Sequence, residues 1–528
     1  MAPKVYHVHP LVAGPLDNWP SHFARCRAMG FDFVGSAPLF APGSDGDIYL
    51  TADYETLHPA LGWTGSADAG IGRLADECGR HGMGLILDIV AHRVAADAPM
   101  RARESTWFEP DQPSVDPPDP RIRPHARNIA EARFDDPNGL GAWWASRLSR
   151  LAKAGAAGFR CLDPQHVPPA VWGDIIAATR ASVLGTVFIA WTPGAGWSEI
   201  AALAGTGFDF VASSVAWWDA RASWFLEEAA VLRTVAPSIA SPEPSFTERL
   251  ATRLDPEVDP ALAYRRALRL AAATASGLLV PMGFEFGTRR RFDQVRADPR
   301  DFEQARQEAT VDLRADIRIA TELVDSMAAL GAAGEMRGLT GPDSEATGLL
   351  RADAPDVRDA TRAVMLAINP LLTRPASLGI PLDPLPPTAG ATFGRALPFD
   401  GAHHLNSPLA PGEVRLIRYD RLAPVVQSPL TGTALQEALR APRLVIEAVA
   451  PVVDGGAFPV KRLAGDTVSV SADIFCDGHE ILAAELLWRA ADEPDWRREP
   501  MKPVANDRWE AQFTPARVGR HYCTIEAW

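Results

Sequence analysis

The sequence predicts a closed β/α barrel followed by two smaller all-β modules. Three observations carry that expectation. Between residues 5 and 336, eight short apolar runs alternate with helical stretches. Such alternation builds a parallel sheet with helical crossovers, and eight units close a (β/α)8 TIM barrel. A single long segment, 101–139, rich in Pro, Asp and Arg, interrupts the rhythm after the third strand. Beyond residue 337 the helical period gives way to strand-like runs between Pro-rich loops.

Taken in order, the strands are expected at 5–9, 31–37, 85–90, 158–162, 187–191, 208–213, 238–243 (weak) and 278–282. The helices are expected at 18–29, 67–81, 140–156, 168–183, 223–235 and 261–275. The first places Trp19, Phe23, Cys26 and Arg27 at helical spacing, and Gly84 closes the second. The insertion 101–139 follows the carboxyl end of a barrel strand, the face where such barrels carry their sites, and its weak periodicity predicts an irregular lobe. The barrel is thus assigned to 1–336 and a small antiparallel β domain to 337–420, with strands near 363–368 and 413–419. A linker with a short helix is expected at 421–442. Residues 443–528 alternate apolar and polar positions between turns at Asp454-Gly455-Gly456, Asp477-Gly478 and Asn506-Asp507, which predicts a β-sandwich.

Composition excludes several classes. The 528-residue chain has a net charge of −14 and no basic tract, which argues against nucleic acid as its main partner. No apolar run is long enough to span a membrane, and Met1-Ala2-Pro3-Lys4 runs straight into a strand without a signal-peptide core, so a cytoplasmic protein is expected. Five scattered cysteines (Cys26, Cys78, Cys161, Cys476 and Cys523) suit reduced thiols; the last two share the terminal module. There is no Gly-Lys pair for a P-loop and no His-Glu-x-x-His. His7-x-His9 puts two rings on one side of a strand, but without a third ligand it reads as structural. No metal and no cofactor are expected.

The stretch Gly158-Phe159-Arg160-Cys161-Leu162-Asp163-Pro164-Gln165-His166 resembles the fourth-strand motif of the α-amylase superfamily. There an Arg stands two residues before the nucleophilic Asp and a His four after it. Arg160 and His166 match, and the nucleophile position holds Leu162. Other segments resemble the family in register. Tyr49, within 47–54, matches the tyrosine that stacks on the sugar, followed by Leu50 where an Asp is usual. Asp88 opens a third-strand motif that ends in His92 and Arg93 rather than Asn and His, and 281–287 resembles the eighth-strand end. The resemblance covers about residues 5–420. Retaining glycosidase chemistry needs two carboxyls about the scissile bond, and this family adds a third. The resemblance places the acid at Ala190 or Trp191 and the third carboxylate at Phe246, three residues before Arg249. None of these side chains can do the work, so no catalytic residue is assigned and the barrel is expected to be silent.

Neighbouring carboxylates offer the alternative of an active hydrolase or transglycosylase with relocated groups. Asp163 adjoins Leu162, but adjacent strand residues face opposite ways, so it should point to the helix layer or cap the next helix. Glu243, Glu248 and Glu285 read as loop or structural carboxylates. Arg160 is expected to pair with Asp88 as a buried structural pair. Residual glycan contacts are assigned to Tyr49, Asp88, Arg160, His166 and Trp191. Among the barrel tryptophans, Trp143, Trp144 and Trp224 lie in helical patterns and read as core, whereas Trp107 and Trp191 are the candidates for exposure.

The terminal module carries a second resemblance. Arg443-Leu444-Val445-Ile446-Glu447, Phe458-Pro459-Val460-Lys461, 473–479, 506–509 and 522–528 are similar to the amino-terminal β-sandwich of maltose-1-phosphate-dependent α-1,4-glucan maltosyltransferases. In that family the sandwich precedes a catalytic amylase-type barrel and contributes to dimer contacts. The resemblance therefore implies the front of a longer or truncated polypeptide in glycogen metabolism, with catalytic carboxylates beyond residue 528. Its partner would be an α-1,4-glucan or maltooligosaccharide, and a homodimer is expected. The barrel itself would serve as a scaffold or glycan-binding module. A ligand-free dimerisation module is the structural alternative; it predicts a mouth plugged by Trp191, Phe246 and the insertion.

Overall fold

The structure, a computed structural model, describes residues 2–109, 119, 121, 129–244, 246–399, 405–423, 425, 444–476 and 481–528. Eight parallel strands close a barrel: β1 (Lys4–Val8), β2 (Phe33–Ser36), β3 (Gly84–Val90), β4 (Gly158–Leu162), β5 (Val187–Trp191), β6 (Phe210–Ala212), β7 (Ser238–Ala240) and β8 (Gly277–Pro281). Each strand pairs with its sequence neighbours, and β1 returns to β8. The strands are apolar on both faces because side chains alternate between the barrel interior and the helical ring. Helix α1 (Leu140–Lys153) shows how the ring is built. Leu140, Trp144, Leu148 and Leu151 recur at helical spacing and are buried, while Arg150 turns to solvent. Arg147 lies on the buried side of the same helix and pairs with Asp68 at 2.8 Å.

The expected bounds of β4 and β5 hold to the residue, and the other strands differ by one to three positions. Besides the short helical turns Pro10–Ala13 and Pro99–Arg103, the helices Trp197–Ala202, Pro299–Gln307 and Arg314–Ala329 were not expected. Trp197–Ala202 is too short for a period to show. Pro299–Gln307 buries only Phe302 and Ala305 within a charged run. The described residues at the two ends of the insertion include regular structure. Arg93–Ala95 pairs antiparallel with Ile129–Glu131, and a helix spans Pro99–Arg103.

After the barrel come β9 (Met336–Gly338), β10 (Thr347–Ala352), β11 (Arg362–Ile368), β12 (Leu397–Pro398) and β13 (Val414–Asp420), in the sheet order β9-β10-β11-β13-β12. The chain divides into two compact units, Met1–Asp356 with Val364–Gly379 and Ser407–Leu416, and Val357–Ala363 with Ile380–Asn406 and Ile417–Trp528. The second contains the terminal strands β14 (Leu444–Ala450), β15 (Val468–Cys476), β16 (Ala484–Ala490), β17 (Arg497–Pro500), β18 (Lys502–Ala505), β19 (Arg508–Phe513) and β20 (His521–Ala527). They form sheets ordered β14-β15-β19-β18 and β17-β16-β20. Between them lie Val470, Ala472, Ile474, Leu486 and Met501, with Trp488 stacked on Phe513 at 4.8 Å. Cys476 and Cys523 sit in different sheets, and all five cysteines are free thiols. The short helix expected in the linker falls largely outside the described residues, as does the Asp477-Gly478 turn.

Candidate functional site at the barrel mouth

The barrel interior carries a buried polar cluster made by three strands. Parallel register sets Asp88 on β3 beside Arg160 on β4. Arg160 grips the carboxylate twice, Nε to Oδ1 at 2.7 Å and Nη2 to Oδ2 at 2.6 Å. His7 on β1 completes the cluster, its Nε2 lying 2.9 Å from both Asp88 Oδ2 and Arg160 Nη2. Gly35 on β2 makes room for that imidazole, since a Cβ there would stand 3.2 Å from His7 Cδ2. Burial pushes Asp88 up, but the adjacent Arg160 charge and the His7 contact outweigh it and hold the carboxyl below its ordinary value. Burial, with Arg160 close by, drives His7 down, so the ring is neutral at pH 7 and accepts or donates a single hydrogen bond at Nε2. His9, two residues on, is pushed down to about 3 by burial and by His7. The expected Arg160–Asp88 pair is therefore present, and His7 belongs to it. That membership was missed because His7 was read together with His9. No metal-binding cluster of His, Cys, Asp or Glu occurs among the described residues.

Above the cluster stand aromatic rings. The Arg160 guanidinium lies 4.6 Å from the Trp191 ring and 5.6 Å from that of Phe246. Trp191 meets Phe246 edge-to-face at 5.8 Å, and Tyr49 meets it likewise at 5.5 Å. Tyr49, Trp191 and Phe246 are each at most 5 % exposed. The expectation of an exposed Trp191 is thus corrected. A strand-end indole faces inward over a cation instead of outward to solvent, an arrangement that a cation–π contact favours. Tyr49 likewise presents no open face for a sugar. Leu162 and Ala190 are buried as well. Among the described residues, neither buried Arg160 Nη1 nor buried Trp191 Nε1 has a hydrogen-bond partner.

The remaining carboxylates near the strand ends are engaged. Asp163 adopts a left-handed conformation (φ 48°) that turns its side chain to Arg93 at 3.3 Å, with His92 at 4.0 Å. It makes no cap bond to the following turn, so the expected capping role is corrected. Glu243 is wholly buried against Arg249 at 3.0 Å and accepts from the Leu250 backbone, and burial raises its pKa. Glu285 accepts from Tyr6 at 2.6 Å and from the Gly283 backbone, with Arg25 at 3.4 Å. Glu248 is exposed. His166 is exposed too, stacked against His92 at 4.9 Å between centroids. Trp107 is half-buried at the start of the insertion, and of the three helix tryptophans only Trp144 is fully core.

Known proteins match both parts of the chain. Residues 442–528 match the family model described as alpha-1,4-glucan:maltose-1-phosphate maltosyltransferase, domain N/S. The whole chain aligns with the alpha-1,4-glucan:maltose-1-phosphate maltosyltransferase of Burkholderia pseudomallei, 36% identical over 552 residues and covering 48% of that protein. The enzyme of the same name from Pseudomonas aeruginosa is 46% identical over 91 residues, 17% of this chain and 14% of the other. Among solved structures, the alpha-amylase of Geobacillus thermoleovorans complexed with acarbose superposes with a TM-score of 0.58 at 16% identity, covering 80% of this chain and 96% of that one. A maltogenic alpha-amylase from Thermotoga neapolitana gives 0.51 at 13% identity, covering 97% and 96%. The chain spans about half the length of the relative that it matches throughout. The chain is thus similar along its whole length to part of an alpha-1,4-glucan:maltose-1-phosphate maltosyltransferase, and it shares the TIM-barrel fold seen in alpha-amylases.

Proposed function

We propose that the barrel is a catalytically silent module of a maltosyltransferase-like protein of α-glucan metabolism, acting as a scaffold beside whatever catalytic part completes it. In this reading residues 1–336 form the silent barrel, 337–420 the small β domain, 421–442 a linker and 443–528 the sandwich, and the partner is an α-1,4-glucan. The observation that carries it is the composition of the mouth. Leu162, Ala190 or Trp191, and Phe246 fill the three positions where the family resemblance calls for carboxylates. Every nearby candidate replacement except exposed Glu248 is already bonded: Asp163 to Arg93, Glu243 to Arg249, Glu285 to Tyr6. The orphaned Arg160 Nη1 supports the same reading, because it lacks the acceptor that a carboxylate at position 162 would supply. Removing even one member of a working catalytic group costs orders of magnitude in rate.

The test is an assay of the purified chain with maltoheptaose, alone and with maltose 1-phosphate as donor, by product chromatography. Neither hydrolysis nor chain extension should exceed the buffer control. Leu162→Asp should remain inactive, because no acid flanks the bond. Turnover by the wild-type chain that is lost in Asp163→Asn would establish the relocated-carboxylate alternative.

A further inference from the structure

The terminal module holds a cavity of about 810 Å³, lined by residues of the second compact unit. Its floor is sandwich core: Val468 and Val470 on β15 and Phe513 on β19. Leu463 and Val518 form its lips, each 59% exposed. One side is strand β20, whose His521 and Cys523 reach the cavity. Ile525 and Ala527 of the same strand pack on the core, so the cavity extends that core past the edge of β20. Among the described residues β20 pairs only with β16, and it ends its sheet. Val425 bridges Gly519 just ahead of it, which leaves His521–Ala527 as the open edge. Ala483 and Trp528 exchange both backbone hydrogen bonds, at 2.9 and 3.0 Å, and this fixes the phase of the ladder. The N–H and C=O groups of Cys523 and Ile525 therefore point away from β16. Charge around the cavity is uneven. Lys461, Arg462 and Arg520 stand exposed at the rim, with Asp466 the one acid among the described lining residues. Arg517 is already paired with Asp492. The rim is thus cationic in a chain of net charge −14.

We propose that this groove docks an extended segment of a partner protein, alternating apolar and acidic residues, as an added strand on β20. An open strand edge is a template for such pairing. The backbone groups of Cys523 and Ile525 would find partners in the added strand. A helix could not supply them, because its own amides are spent internally. Side chains along a strand alternate between its faces. Every second residue of the segment would turn inward onto Val468, Val470 and Phe513, which calls for apolar side chains. Those between would meet Lys461, Arg462 and Arg520, which calls for carboxylates. A basic segment would be repelled at the rim. A small inorganic anion would leave the apolar floor wet. An anionic lipid surface is flat where this site is recessed, and would leave the strand edge unpaired.

The test is calorimetric titration of the full chain with a synthetic peptide of alternating Val and Glu, matched to the seven residues of β20, with thermal melting of every variant. Saturable binding is expected, and excess peptide should slow alkylation of Cys523 several-fold by mass spectrometry. Methylating the peptide's backbone N–H groups should weaken binding about tenfold or more. A peptide with Lys in place of Glu should not saturate. Arg462→Gln and Arg520→Gln alter exposed residues, should melt like the wild type, and should each weaken binding several-fold, as added salt should too. No saturable binding of the Val/Glu peptide overturns the proposal. So does binding that ignores backbone methylation, that is indifferent to both Arg462 and Arg520, or that leaves Cys523 as reactive as before. A chain that ignores the peptide and binds octanoate or phosphatidylserine vesicles overturns it in favour of a small amphipathic anion or a lipid surface.

Discussion

The barrel interior and the terminal sandwich are held together by different physics. In the barrel, Asp88, Arg160 and His7 meet wholly out of water, and each is tolerable only because of the others. In the sandwich, the core is Val470, Ile474, Leu486, Trp488 and Phe513, and the charge that meets it, the Arg497 guanidinium, lies over the Trp488 ring at 4.6 Å. Shape dominates there. The contrast teaches that a charge cluster, once buried, is costly to take apart piecemeal, whatever its role. The sandwich core can change one methyl at a time.

The largest blow to this contrast should fall on the barrel. Arg160→Leu would leave Asp88 buried with only His7 to meet it, and is expected to cost about 3–5 kcal/mol in urea unfolding. Adding Asp88→Leu should restore most of that loss, and a double variant no more stable than the single one would break the comparison. In the sandwich, Leu486→Ala should cost roughly 2–3 kcal/mol through the cavity it leaves. Proteolysis followed by mass spectrometry should locate that weakening beyond residue 444.

Acidification should separate the regions next. The folded pKa of His9 is about 3 against 6.5 unfolded, and His7 is lowered in the same sense. Between those limits the unfolded chain binds protons that the folded barrel refuses, so stability falls as the pH is lowered through the window. Asp88 adds to this further down. Its pairing contributes fully above the unfolded value of 3.8 and is lost as the pH drops through its depressed folded value. Melting temperature followed against pH should decline below about 6.5, and His9→Asn should flatten part of that slope. The smallest effect is expected at Ile481, which is 98% exposed in the terminal module. Ile481→Ser should shift stability by no more than about 0.5 kcal/mol.

Much of the architecture could be read from periodicity. Strands β4 and β5 were bounded correctly because their apolar runs are short and end at Pro or Thr-Pro. What stayed hidden was conformational. The alternation of a strand predicted that Asp163 faces away from the interior, but its left-handed backbone breaks that alternation and swings the side chain toward Arg93. Trp191 looked exposed because strand ends in such barrels usually open onto a cleft. Its partner Phe246, and Tyr49 against that ring, come from segments far apart in sequence, and nothing local announces their meeting.

The Arg160 pocket also bears on how such a chain can change over generations. Its guanidinium has one nitrogen to spare, Nη1, roofed by Trp191 and Phe246. A lone mutation that puts a carboxylate at position 162 has that single donor to meet it. One at 191 or 246 also removes a ring that shelters the cation. Each such step taken alone costs folding stability before a second carboxylate is present to work with it. The mouth works as a ratchet, free to drift among apolar side chains and resistant to acids introduced one by one.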